Sequence, residues 1–138
     1  MNPLTAYQQR QALGLTRIDL LLALADGAID RLDQAAAAFA RDDHAAATPL
    51  LLRSQRIVAE LAAGLDFRYG ELPRNLSALY SFVLRAIARG NLANVNAALR
   101  VLRPLRDGFT GIRAEAIQLE RTGAIPAREL VHSVVATA

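Results

Sequence analysis

Few side chains in this sequence have the types and spacing that support chemistry. Asp19, Asp26, Asp30 and Asp33 stand at i, i+7, i+11 and i+14, which stacks their carboxylates along one face of a helix. Paired carboxylates can exchange protons or hold a metal ion. The di-iron bundles add two Glu-x-x-His motifs, which this chain does not have. The plainer reading of the stripe is a wet face opposite arginines of neighbouring helices. Asp42-Asp43-His44 has metal-ligand residue types, but ligands adjacent in sequence rarely converge on one ion, whereas an acid pair ahead of a helix caps it. His132 has no evident partner. Ser54, Ser77 and Ser81 fall in helical segments without an identifiable base. There is no cysteine, hence no disulfide, thiolate zinc site or cysteine nucleophile, and no glycine-rich phosphate loop. Neither catalysis nor a metal or other cofactor is expected.

All 16 basic residues are arginine, against 13 acids, for a net charge of +3. The isoelectric point near 10.2 mostly reflects the lack of groups that titrate between carboxylates and guanidinium. The arginines run from Arg10 to Arg128 without a block of like charge, so the basic patch typical of nucleic-acid binding is not visible. A basic helical module that associates with nucleic acid, or a generic helix-binding adaptor, is the alternative function; arginines gathered on one face of the fold would favour it.

The elements that position these residues follow from length and periodicity. At 138 residues the chain fits one domain with a real core. Alanine and leucine supply much of its apolar content, which points to an all-α fold. Residues 1–15, with Pro3, Gly14 and several glutamines, read as an extended or loosely helical arm. A first helix spans about Ile18 to Ala40, opened by the Thr16/Asp19 capping-box pattern; Ile18, Leu21, Leu22, Ala25, Ala28, Ile29, Leu32, Ala36 and Phe39 share a face. A second spans about His44 to Gly64, with Asp42 or Asp43 as cap. Pro49 then marks either a later start, near Thr48, or a kink. Residues 64–73 are a loop. A third helix spans about Pro73 to Arg89, with a core stripe of Leu76, Leu79, Tyr80, Val83 and Ile87. A fourth spans about Asn94 to Arg121, with Val95, Ala98, Val101, Leu102, Leu105, Phe109, Ile112 and Ala116 aligned, and Pro104, Gly108 and Gly111 placing a kink or break inside it. Short connections between four amphipathic helices predict an antiparallel bundle. The expected division is a bundle domain with its arm at 1–122 and a tail at 123–138, either without fixed structure or forming a short helix. Leu20 to Ala25, bounded by Asp19 and Asp26, is too short for a signal-peptide core, and no stretch approaches a membrane span.

The apolar content exceeds what four core stripes need. Leu52, Ala59, Ala62 and Ala63 lie outside the stripe of the second helix, Phe82 and Leu84 outside that of the third, and Leu20 and Leu24 add to the first. Helices apolar around so much of their circumference are buried or receive a partner. Alanines beside a leucine make a shallow groove suited to an amphipathic helix; an alanine-rich face that is simply tolerated explains the same pattern. An exposed apolar face is also compatible with weak self-association.

Four local patterns occur in order: Ala6-Tyr7-Gln8-Gln9; Leu20 through Ile29, containing Asp26-Gly27; Gln55-Arg56-Ile57-Val58 with Glu60-Leu61 and Leu65-Asp66-Phe67; and Gly70-Glu71-Leu72 followed by Asn75-Leu76-Ser77-Ala78-Leu79-Tyr80. Over about residues 1–115 this resembles the flagellar secretion chaperone (FliS) family. The resemblance implies an antiparallel four-helix bundle with an N-terminal arm packed on it, working in the cytoplasm. It implies that the bundle binds the unfolded C-terminal segment of flagellin in apolar grooves, prevents premature polymerisation and delivers the subunit to the flagellar export apparatus. Tyr7 matches the N-terminal tyrosine of the family, and Asp26-Gly27 matches its first-helix signature. Ala25 stands where many members carry an aromatic, and the net charge is positive where members are commonly acidic. The candidate arm or flagellin-facing residues are therefore Tyr7, Leu20, Leu24, Gly27, Leu52, Ala59, Ala63, Phe82 and Leu84. Gly27 is expected to permit close approach by the arm or by flagellin. Pro3, Leu4, Ala6 and Tyr7 are expected to plug part of the groove, with a frayed terminus as the competing reading.

Overall fold

Each helix of the bundle starts and stops where the local chemistry asks for it. In the computed structural model, which describes residues 16–123, α1 runs Arg17–Ala40. The Thr16 hydroxyl accepts the Asp19 amide at 3.3 Å, as the capping pattern predicts. At the other end the Asp42 amide donates to the Phe39 carbonyl at 3.0 Å, and the Asp43 amide to the Ala38 carbonyl at 2.8 Å. These two bonds form a Schellman closure, with Asp42 at the left-handed position, φ 59°. Aspartate tolerates that conformation better than most residues with a side chain. Asp43 then caps α2 (His44–Ala63), its carboxylate accepting the Ala46 amide at 3.0 Å. The acid pair thus ends one helix and begins the next.

A single 3₁₀ turn, Phe67–Tyr69, follows α2. Gly70, at φ 86°, then leads into α3 (Glu71–Arg89). Pro73 sits in the first turn of α3, where a missing N–H costs nothing. Gly90 ends that helix at φ 64° in the left-handed region. Asn91 caps α4 (Leu92–Gly111) by accepting the Asn94 amide at 2.9 Å. The chain turns at Ile112 and continues as α5 (Arg113–Arg121). The expected fourth helix is therefore two helices, broken after Gly111 rather than at Pro104. Pro49 likewise lies inside an unbroken α2. Both prolines are exposed, as are Ala45 and Arg100 four residues earlier, so water can satisfy the carbonyl that each proline leaves without a donor.

The four long helices close in a ring, α1 on α2, α2 on α3, α3 on α4 and α4 on α1. Asp19, Asp26 and Asp33 of α1 meet Arg113, Arg106 and Arg103, respectively, and the falling partner numbers fix α1 and α4 as antiparallel. Leu51 approaches Gly90, which fixes the same for α2 and α3. The core joins Ile29 and Leu32 to Val58, Leu61, Tyr80, Val83, Val95 and Leu102. Ala28, Ala35, Ala38, Ala47 and Ala98 are all fully buried and let neighbouring helices approach closely. Leu79, placed in the core stripe by periodicity, is 38% exposed, and Ile112 at the break is 47% exposed. All regular structure among the described residues is helical, and no helix there is long and apolar enough to cross a membrane.

Candidate protein-binding groove

The carboxylate stripe belongs to the seam of α1 with α4 and the start of α5. Arg113 grips Asp19 with two bonds of 2.6 and 3.1 Å. Arg106 donates to Asp26 at 2.7 Å and to its neighbour Asp107 at 2.9 Å, and Arg103 pairs with Asp33. The Arg113 guanidinium beside Asp19 holds its carboxyl below the usual carboxylate value, with help from the Thr16 hydroxyl. Asp30 accepts from Gln34 one turn on, at 2.9 Å. This is the wet, arginine-matched face anticipated for the stripe. No group of acids, histidines or cysteines among the described residues is placed to hold a metal. His44 lies edge-on to Phe39, ring centroids 5.3 Å apart; the Asp43 carboxylate is occupied as a cap, and the exposed Asp42 carboxylate lies 3.9 Å from the His44 Nε2. Ser54, fully buried, donates to the Leu51 carbonyl at 2.9 Å.

The opposite side of the bundle differs. Between α2 and α3 lies an open depression of about 290 Å³ whose walls include Phe39, Leu51, Leu52, Gln55, Ile87 and Ala88. Leu52 is 51% exposed. At roughly 100° per residue, Ala59 continues the row of Leu52 along α2, and Leu84 precedes Ala88 by one turn on α3. Ala59 is exposed and Leu84 half-buried against the core. A leucine among alanines, facing another helix across a shallow trough, is the shape that accepts an amphipathic helix.

The remaining candidates are dispersed. Ala63 is half-buried and lies at the outer edge of the same row. Phe82 is 41% exposed, but sits about 120° round α3 from Ala88, toward α4 with Leu79. Gly27 lies on the α1–α2 seam. A Cβ there would meet Ile57 and Arg31, each at 3.5 Å, both ordinary contacts. Among the described residues the close neighbours of Gly27 are another helix and its own turn, where Arg31 donates to the Gly27 carbonyl at 3.0 Å. Leu24 packs on the core, half-buried. Leu20 is only 9% exposed. Tyr7 and the rest of the arm lie outside the described residues, as does the tail from 124.

Some exposed apolar residues were not among the candidates. Phe67 and Tyr69 in the loop before α3, and Leu72 in its first turn, are 40%, 47% and 61% exposed. Their sequence signal was weak because a loop carries no periodicity. Asp66 holds this loop. It is 3% exposed and accepts the Arg68 amide at 3.0 Å and its Nε at 2.9 Å. The Arg68 guanidinium pulls the Asp66 carboxyl down to about 2, against the opposing effect of burial.

Comparison with known proteins places the whole bundle. The family model for flagellar protein FliS matches residues 1–116. The flagellar secretion chaperone FliS of Bacillus subtilis (strain 168) is 32% identical over 120 residues, covering 87% of this chain and 90% of that protein. The helical architecture, the order of the four sequence patterns and these two matches agree, and the chain belongs to the flagellar protein FliS family.

Proposed function

We propose that this chain is a cytoplasmic flagellar export chaperone. It binds the unfolded C-terminal segment of flagellin, keeps it from polymerising, and delivers it to the export apparatus. Support comes from family membership together with one observation, the open α2–α3 trough bearing half-exposed Leu52. A disordered segment that folds on binding needs an exposed apolar track, and this trough supplies one. The bundle contributes shape and apolar area, and no covalent step is required.

Titration calorimetry with a flagellin C-terminal segment from the same genome tests this. The expected result is saturable binding that Leu52→Glu weakens at least about tenfold, because a carboxylate would be desolvated in the trough, while circular dichroism of the variant stays helical. Absence of binding by the unmodified protein would refute the proposal.

A further inference from the structure

The trough carries a charge pattern that its apolar lining does not explain. On α2, positions 51, 55, 52 and 56 step outward in that order from floor to rim at roughly 100° per residue; on α3, positions 87, 84, 88 and 85 do the same. Leu51 and Leu52, with Ile87 and Ala88, line the cavity. Arg56 and Arg85 are therefore the next side chains outward on its two banks, and both are exposed. They also stand at the same level of the helix pair. Leu51 lies level with Gly90, and in an antiparallel pair each step up one helix is a step down the other, which brings residue 56 level with residue 85.

Neither guanidinium makes a hydrogen bond or ion pair with any described residue. The contrast with the seam of α1 against α4 and α5 is direct, since Arg103, Arg106 and Arg113 there each have an aspartate. Arg74 adds a third exposed guanidinium about three turns before Arg85 on the same flank of α3. Glu60 lies one turn beyond Arg56, but it is half-buried and already engaged. A trough floored by Leu51, Leu52 and Ile87, with an unneutralised cation on each bank, selects an occupant with an apolar stripe and negative flanks.

We infer that the α2–α3 trough takes an amphipathic helix carrying Asp or Glu on both sides of a narrow Leu/Ala stripe, and that Arg56 and Arg85 read those acids. The inference rests on the proposed chaperone reading for its setting but adds the chemistry of the partner. It makes the trough selective as well as sticky, because a helix with basic flanks would bring like charges together at both rims.

Two synthetic peptides with the same Leu/Ala stripe test it, one flanked by Glu and one by Lys, titrated into the full chain by fluorescence anisotropy. The Glu peptide should bind at least about tenfold tighter at low ionic strength, and the preference should shrink at about 0.5 M salt as screening shortens the range of the charges. The double variant Arg56→Glu/Arg85→Glu should invert the preference, and Leu52→Glu should abolish binding of the Glu peptide, with both variants checked for unchanged helicity. Equal binding of the two peptides, no binding of either, or a preference that survives the charge reversal overturns the inference. So does displacement of the Glu peptide by an equimolar short DNA duplex, which would assign the rims to a phosphate backbone. A parallel titration with the flagellin segment separates the two readings. If that segment binds while the charge preference is absent, only the inference fails. If the Glu peptide binds and the flagellin segment does not, the inference stands and the chaperone reading fails.

Discussion

Among the described residues Tyr80 is the largest fully buried side chain, 1% exposed, and its hydroxyl has no hydrogen-bond partner there. A buried, unpaired hydroxyl costs about 1–3 kcal/mol in lost hydration. Tyr80→Phe removes that oxygen and keeps the ring. The gap it leaves is smaller than a water molecule and sacrifices only a few weak contacts. The net expectation is a gain of about 1 kcal/mol, or about 4 °C in Tm for a domain of this size. Burial also pushes the Tyr80 phenol from 10.0 up to about 12. Because the folded protein holds this proton more tightly than the unfolded chain, the associated stability is complete below pH 10 and is lost as pH rises toward 12. The phenylalanine variant lacks that titration, so its advantage should widen between pH 9 and pH 11. The window is clean: with no lysine and no cysteine in the chain, the side chains titrating there are phenols. Thermal and urea melts of both proteins across this range provide the measurement. A variant that melts lower than the parent, or an advantage that narrows with pH, would show that the hydroxyl has a partner and refute the reasoning.

Gly27→Ala should raise stability by about 0.5–1 kcal/mol, since the added methyl meets ordinary contacts and alanine is the better helix former; Gly27→Leu should lower it by pressing on Ile57, and urea unfolding reads both. Asp66→Asn should flatten the acid limb of the stability profile. The Asp66 carboxylate contributes stability above its ordinary value of 3.8, and this is lost as pH falls through about 2, so the variant should change least between those values in an acid titration followed by circular dichroism. Tyr7→Ala should alter affinity for a flagellin C-terminal segment by about 1 kcal/mol or more while the melt of the bundle changes little; identical affinities in calorimetry would remove the arm from the mechanism.

Most of the fold was legible because it is written in local chemistry. Thr16, Asp43 and Asn91 each accept an amide three residues ahead, a pattern that needs no knowledge of the rest of the chain. The prolines were harder. Whether Pro49 and Pro104 interrupt a helix depends on whether the orphaned carbonyl faces water, and that follows from which face the partner helices cover. The aspartate stripe could be seen, but its partners lie 94, 80 and 70 positions away, so only the assembled bundle pairs them. The candidate groove was half legible for the same reason. Leu52, Ala59 and Leu84 stand out by period within their own helices, whereas the shared level of Arg56 and Arg85 is a property of the register between two helices. The burial of Leu20 was not legible either, because a position off the main stripe of one helix does not reveal what covers it.

One contact carries a consequence for engineering. The Arg17 amide donates to the Glu120 carboxylate at 3.1 Å, so the first turn of α1 and the last turn of α5 are pinned side by side. The chain therefore enters and leaves the described bundle at the same pole, beside the Asp66 loop. Among the described residues the far pole consists of two tight reversals, at 41–43 and 90–91. A short linker between residues 16 and 123, with new ends opened at Gly90-Asn91, would preserve every helix and every interhelix seam. Such a circular permutant should fold, and it would move any fused reporter to the end of the bundle beside the mouth of the α2–α3 trough.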